Sequence, residues 1–156
     1  MTKGWMISAA ALAALTVATP ALADQGCTGT AGNGAVKLTI VATNLKNADG
    51  EVAFSIYPDS RSKFLASHAY IARARIPAKA PNTTTCFWLP PGHYAAALYH
   101  DENADHDFNR TLFKIKEGFG FSNDAPTTLG LPSFDKVRFE LPAAGRTIRV
   151  KMRYSR

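Results

Sequence analysis

The stretch Val36-Lys37-Leu38-Thr39-Ile40-Val41-Ala42-Thr43 sets Val36, Leu38, Ile40 and Ala42 on one side of an extended backbone and Lys37, Thr39 and Thr43 on the other, with Val41 alone breaking the alternation. Successive side chains leave a pleated strand on opposite sides, so a period of two marks a strand with one face on a core. Asn47-Ala48-Asp49-Gly50 follows as a turn, and Val52, Phe54 and Ile56 resume the same period. The two segments are expected to pair as a hairpin. Pro58 ends the second, and Asp59 to Leu65 has room for at most a turn or two of helix capped by Asp59 or Ser60.

Working outward, Tyr70, Ala72, Ala74 and Ile76 alternate with Ile71, Arg73 and Arg75, giving a third strand with a basic outer face, closed by Pro77 and Pro81. Thr83 to Leu89 is β-branched and aromatic, a fourth strand, and Pro90-Pro91-Gly92 turns the chain into a fifth, Tyr94 to His100. Its small residues Ala95, Ala96 and Ala97 imply close packing on both faces. Val137 to Leu141 and Thr147 to Tyr154 are the last two strands, with Ile148, Val150 and Met152 inward and Arg149, Lys151 and Arg153 outward. Pro90-Pro91-Gly92-His93-Tyr94 with the alanine-rich strand after it resembles transthyretin-like sandwiches, which implies fold only. Short strands, frequent turn signals and almost no helix describe an all-β chain, an antiparallel seven-stranded β-sandwich of the immunoglobulin-like kind with one long loop. That loop, from Asp101 to Phe134, has little periodicity, and so long a connection in a compact domain is usually functional or organised by something other than regular structure.

The first 23 residues carry Lys3, an apolar stretch from Trp5 to Val17 and then Ala21-Leu22-Ala23, the pattern of a secretory signal peptide cleaved before Asp24. A membrane anchor is the competing reading, but the apolar run is shorter than the roughly 20 residues a spanning helix needs, and no transmembrane helix is expected after cleavage. Lipidation at Cys27 is disfavoured by Asp24-Gln25-Gly26 before it. Residues 24–34, rich in Gly, Thr and Asn, read as a flexible lead-in held only by Cys27, and residues 35–156 as one β-sandwich domain. The chain is thus expected in the periplasm or outside the cell. There Cys27 and Cys86, its only cysteines, pair by default. The formal net charge is +6, with Arg146, Arg149, Lys151, Arg153 and Arg156 crowding the C-terminus. In that compartment a basic face meets anionic lipid or glycan rather than nucleic acid, or is simply a solvated strand face.

Asp101, Asn103, Asp105, Asp107 and Asn109 stand at every second residue, as the ligands of an oxygen-rich calcium loop do. His106 occupies the place such a loop gives to glycine, and Leu112 that of the bidentate glutamate, so this is not an EF-hand. Glu117 or Asp124 would complete the shell. The alternative is a polar surface turn held by Asx hydrogen bonds. His100, Glu102 and His106 admit a transition-metal site, and the segment His100-Asp101-Glu102 a small metal-assisted hydrolase. Ser122, in Gly118-Phe119-Gly120-Phe121-Ser122-Asn123, has no nucleophile-elbow context. The two glycines read as letting the chain turn tightly while the phenylalanines pack, with Ser122 and Asn123 bonding the loop. Phe119, Phe121 and Trp88 are the residues for an aromatic platform that would take a glycan, a peptide or an envelope component.

Leu89-Pro90-Pro91-Gly92-His93-Tyr94-Ala95 through His100-Asp101-Glu102-Asn103, followed by Glu117-Gly118-Phe119-Gly120-Phe121-Ser122-Asn123, resembles the domain of unknown function 2141 family. The resemblance extends from about Leu38 to Met152 and implies an exported bacterial β-sandwich without an assigned activity. That family's acidic loop has the form D-x-N-x-N/D-G-x-L-D. Here Asp101, Asn103 and Asp105 match, His106 replaces the glycine and Phe108 the leucine, and Lys114-Ile115-Lys116 precede Glu117 where the family has a proline-bearing approach. A binding or structural role is expected ahead of an enzymatic one.

Overall fold

In the computed structural model, which describes residues 26–108, 117–127 and 131–154, the opening stretch forms strand β1 (Val36–Thr43) and buries Leu38, Ile40 and Ala42 completely. Along the chain follow β2 (Glu51–Pro58), β3 (Ala72–Pro77), β4 (Asn82–Leu89), β5 (Gly92–Asp101), β6 (Gly118–Phe121), β7 (Phe139–Leu141) and β8 (Arg146–Lys151), with a 3-10 turn over Ser122–Asp124 and one turn of helix, α1 (Phe134–Val137). The segment expected to be a signal peptide lies outside the described residues.

The strands form two sheets, one in the order β4-β1-β8 and one in the order β3-β2-β5-β6 with β7 also on β5. Their inner faces share one core, to which Leu38, Ile40, Phe87 and Val150 come from the first sheet and Val52, Phe54, Ile56, Ala96 and Leu98 from the second. Three expectations are corrected. Among the described residues there are eight strands, not seven. Pairing is not wholly antiparallel, because β8 runs parallel to β1, Ile40 opposite Ile148. And β1 and β2 are not a hairpin: β1 pairs with β4 and β8, β2 with β3 and β5. Alternation records which face a strand buries but not which strand lies beside it. Residues 44–50 cross between the sheets, with Leu45 buried and its N–H bonded to the Pro81 carbonyl at 3.0 Å.

The strand that was not expected, β6, is the glycine and aromatic motif. Gly118 faces the Tyr154 ring and Gly120 faces β8, where a Cβ on Gly120 would lie 2.7 Å from Val150 Cγ1 and 2.9 Å from the Lys151 carbonyl oxygen. The glycines therefore permit close approach of one strand to another rather than a tight turn. Phe119 and Arg153 exchange backbone hydrogen bonds of 2.9 and 2.8 Å, which ties this corner of the second sheet to the chain leaving β8. Ser122 and Asn123 bond the loop as expected: the buried Ser122 hydroxyl donates to the Val137 carbonyl and accepts from the Ala96 N–H, and Asn123 Nδ2 donates to the carbonyls of Lys136 and Arg138.

The second sheet is covered on its outer face as well. Tyr57, Ala95, Phe121, Ala125, Phe134 and Val137 form a smaller core there, beneath Phe64, Leu65 and Tyr70. Ala95 belongs to this core and Ala96 to the main one, so the alanine run is packed on both faces as its small size implied. On β8, Ile148 and Val150 are buried while Arg149 and Lys151 are exposed. Cys27 and Cys86 form a disulfide. It is not the only tether of the N-terminal segment, since Thr28 donates to the Cys86 carbonyl and accepts from the Trp88 N–H, each at 2.9 Å.

Gly120→Ala tests the close approach of β6 to β8. Val150 and the Lys151 backbone would have to move, and overpacking of this kind costs about 1–3 kcal/mol. Denaturant unfolding of the variant should show a lower midpoint with an unchanged slope.

Candidate cation site and aromatic pocket

Strand β5 positions the site by presenting two unlike faces. Tyr94, Ala96, Leu98 and His100 point into the main core, whereas Ala95, Ala97, Tyr99 and Asp101 point to the outer face of the second sheet. Register across that sheet lines up Arg75, Ala53, Tyr99 and Phe119 in one row and Arg73, Ser55, Ala97 and Phe121 in the next. A basic edge on β3 thus faces an aromatic edge on β6 across small residues and one tyrosine.

Asp101, at the end of β5, is fully buried. A buried carboxylate needs charge-assisted hydrogen bonds to offset desolvation. Asp101 Oδ2 accepts from the His106 N–H at 2.9 Å and from Arg75 Nη1 at 3.2 Å, and its Oδ1 accepts from the Asp105 N–H at 3.2 Å. Arg75 is shared: Nη1 also donates to Glu51 Oε1 at 2.5 Å, and Nη2 donates to the Tyr99 hydroxyl at 2.6 Å and the His106 carbonyl at 2.9 Å. Burial alone would lower the Arg75 pKa, but the bonds to Glu51 and Tyr99 outweigh it and hold the guanidinium above its ordinary value. Burial likewise pushes the Tyr99 hydroxyl up, against the opposing charge of Arg75.

Glu117, almost fully buried just before β6, completes the constellation. Carboxylate oxygens of Asp101, Asp105 and Glu117 all lie within 4.8 Å of one another. Of the two carboxylates offered by the sequence to close the shell, the structure brings Glu117 to the cluster. Asp124 instead accepts from the Lys151 N–H at 2.6 Å. The intervening loop contains Asx bonds too: Asn103 Nδ2 donates to Asp105 Oδ2 at 2.7 Å, and the Asp107 N–H donates to Asp105 Oδ1 at 2.9 Å. The Asp107 carboxylate stands outside the cluster, and Asn109 lies outside the described residues. Clustered carboxylate oxygens suit a hard cation such as calcium.

Two backbone features hold the loop in place. Gly50, at φ 62°, lies against the chain at Asp101 and Glu102, and a Cβ there would overlap the Asp101 carbonyl oxygen. His106, where a calcium loop has glycine, adopts φ 68°. The position keeps its left-handed conformation although its residue has a side chain.

The histidine-based readings are corrected. His100 lies in the core, on the strand face opposite Asp101, with Nε2 2.7 Å from the Asp49 carbonyl and Nδ1 2.8 Å from the Tyr154 hydroxyl. The carbonyl can only accept, so Nε2 carries a proton, and both nitrogens are engaged. Glu102 bonds Lys46 at 2.8 Å and Asn47 at 3.0 Å; burial pushes its carboxyl up, but these partners outweigh it and hold the pKa below the usual range. His106 directs its ring toward Glu51, 3.4 Å away. The three do not converge. Trp88 does not join Phe119 and Phe121 either, because it lies on β4, in the other sheet.

What sequence reasoning missed is the partner of the two phenylalanines. Phe119 and Phe121 stack edge to face 6.1 Å apart, Phe108 meets Phe119 at 6.4 Å, and Tyr99 meets Phe108 at 5.5 Å. These rings, with Tyr57, Ser55 and Arg73, line a cavity of about 410 Å³ beside the acidic cluster. The signal was present in the alternation of β3, where Arg73 and Arg75 share the outer face.

The family described as "Uncharacterized protein conserved in bacteria (DUF2141)" matches residues 40–149. The chain belongs to this family. The DUF2141 match takes in the acidic loop, Glu117 and the Gly118–Phe121 strand, and it leaves out Cys27. No curated protein and no solved structure matched the chain.

His106→Gly should stabilise this DUF2141 domain. A left-handed conformation costs a residue with a Cβ roughly 1–2 kcal/mol, and the exposed contact with Glu51 that is lost contributes less than about 1 kcal/mol. A higher Tm in calorimetry is the expected outcome, and a lower one would show that the imidazole contributes more than the strain.

Proposed function

We propose that the chain is an exported binding module whose loop takes a divalent cation, calcium, on Asp101, Asp105 and Glu117, and whose adjoining sheet face receives the ligand. The observation that carries this reading is the convergence of those three carboxylates from two separate segments, with Asp101 and Glu117 both buried. A dication placed among clustered carboxylate oxygens is attracted by all of them at once. Calcium takes 6–8 oxygen ligands in flexible geometry. The side-chain oxygen of Asn103 and carbonyls of the same loop are the natural further donors. Export is supported by the leader-like first 23 residues and by the Cys27–Cys86 disulfide. A binding role is favoured over hydrolysis because His100, the only histidine of the hydrolase segment, has both ring nitrogens committed inside the core.

Thermal melts in chelator and in millimolar calcium test the proposal. A ligand that binds only the folded state stabilises by about 2.7 kcal/mol at 100-fold over Kd, a rise in Tm on the order of 5–10 °C for a domain of this size. Glu117→Gln and Asp105→Asn should each remove most of that rise. An unchanged Tm for the parent protein in calcium would overturn the cation site.

A further inference from the structure

The cavity beside the acidic cluster has a feature that neither a cation nor a packing role uses. Its volume of about 410 Å³ lies within the roughly 300–1,000 Å³ of small-molecule sites. One side is a run of edge-to-face rings, Tyr99, Phe108, Phe119 and Phe121. The other is Arg73, half-buried on β3, whose guanidinium lies 4.2 Å from the Tyr70 ring centre and whose Nε donates to the Ser55 hydroxyl at 2.9 Å.

The two arginines of β3 differ in one decisive respect. Arg75 is paired with Glu51 and Asp101. Among the described residues no carboxylate pairs with Arg73, and only its Nε is hydrogen-bonded. Stacking on Tyr70 and the bond to Ser55 fix the plane of the guanidinium and leave both Nη groups as donors. Such a fork matches the two oxygens of a carboxylate. The buried Ser55 hydroxyl lies at the same end of the cavity.

We propose that this cavity binds a small carboxylate with an apolar, aromatic-sized body, the carboxylate on Arg73 and the body against Phe119, Phe121 and Tyr99. The inference rests on the reading of this sheet face as the binding surface, and it does not require the cation. Arg73 supplies the charge preference, and the rings supply desolvation and edge contacts that accept any flat apolar body of the right size.

Calorimetric titration with 2-naphthoate and with its neutral counterpart 2-naphthamide, each in calcium and in chelator, tests the proposal on the mature, disulfide-bonded chain. Naphthoate should bind saturably and at least tenfold more tightly than the amide. Arg73→Gln should abolish that preference while leaving amide binding in place, which shows that the variant retains the cavity; Phe119→Ala should weaken both. Equal affinity for the two probes in the parent protein, saturable binding of neither, or a preference that survives Arg73→Gln would each overturn the proposal. Failure of naphthoate to bind while calcium still raises the Tm overturns this inference alone. Naphthoate binding without any calcium effect overturns the cation site alone.

Discussion

The arrangement depends on one constraint, that the central strands of the second sheet are covered on both faces. β2 is buried at every residue between its ends, and β5 carries two different environments on alternate residues. Inward, Ala96, Leu98 and His100 meet the main core; outward, Ala95, Ala97, Tyr99 and Asp101 build a smaller core and then a polar site. A sheet buried on both sides cannot leave its polar residues to water. Each must find its partner within the fold, which is why Asp101, His100, Ser55 and Ser122 all carry defined hydrogen bonds.

Neighbouring residues therefore have unrelated roles. His100 and Asp101 are adjacent in sequence and on opposite sides of the sheet, one bonded to Asp49 and Tyr154, the other to Arg75 and the loop backbone. The same geometry joins residues that sequence keeps apart. Glu117 reaches Asp101 because β6 pairs with β5, His100 opposite Gly118, so the residue preceding Gly118 comes level with the end of β5. That pairing in turn needs glycine at positions 118 and 120, where Tyr154 and Val150 leave no room for a Cβ. A packing requirement in the main core thus sets the position of a carboxylate on the other side of the sheet.

Electrostatics divides the outer face into two parts. At one end Arg75 is neutralised by Glu51 and Asp101, and Asp105 and Glu117 add two further carboxylates. At the other, Arg73 faces a ring-lined cavity with no carboxylate among the described residues. One strand, β3, supplies both arginines at a spacing of two residues. Their different surroundings come from the strands beside β3, since Arg75 lies in a row with Tyr99 and Arg73 in a row with Ser55.

The sequence by itself determined the all-β class, the disulfide, the inward and outward faces of β1, β2, β3 and β8, the double-sided packing of the alanine run, and the acidic loop, with Glu117 and Asp124 both left open as the carboxylate that closes it. These were legible because each is written in short-range periodicity or in residue chemistry. Only the tertiary structure decided that β1 and β2 lie in different sheets, that β8 runs parallel to β1, that Gly118–Phe121 is a strand, that His100 belongs to the core, and that Arg73 rather than Trp88 completes the aromatic pocket. Alternation states which face of a strand is buried, but hydrogen bonds between strands are made by the backbone, which is chemically the same in every strand, so the choice of neighbour is left to how the two layers close over their shared core.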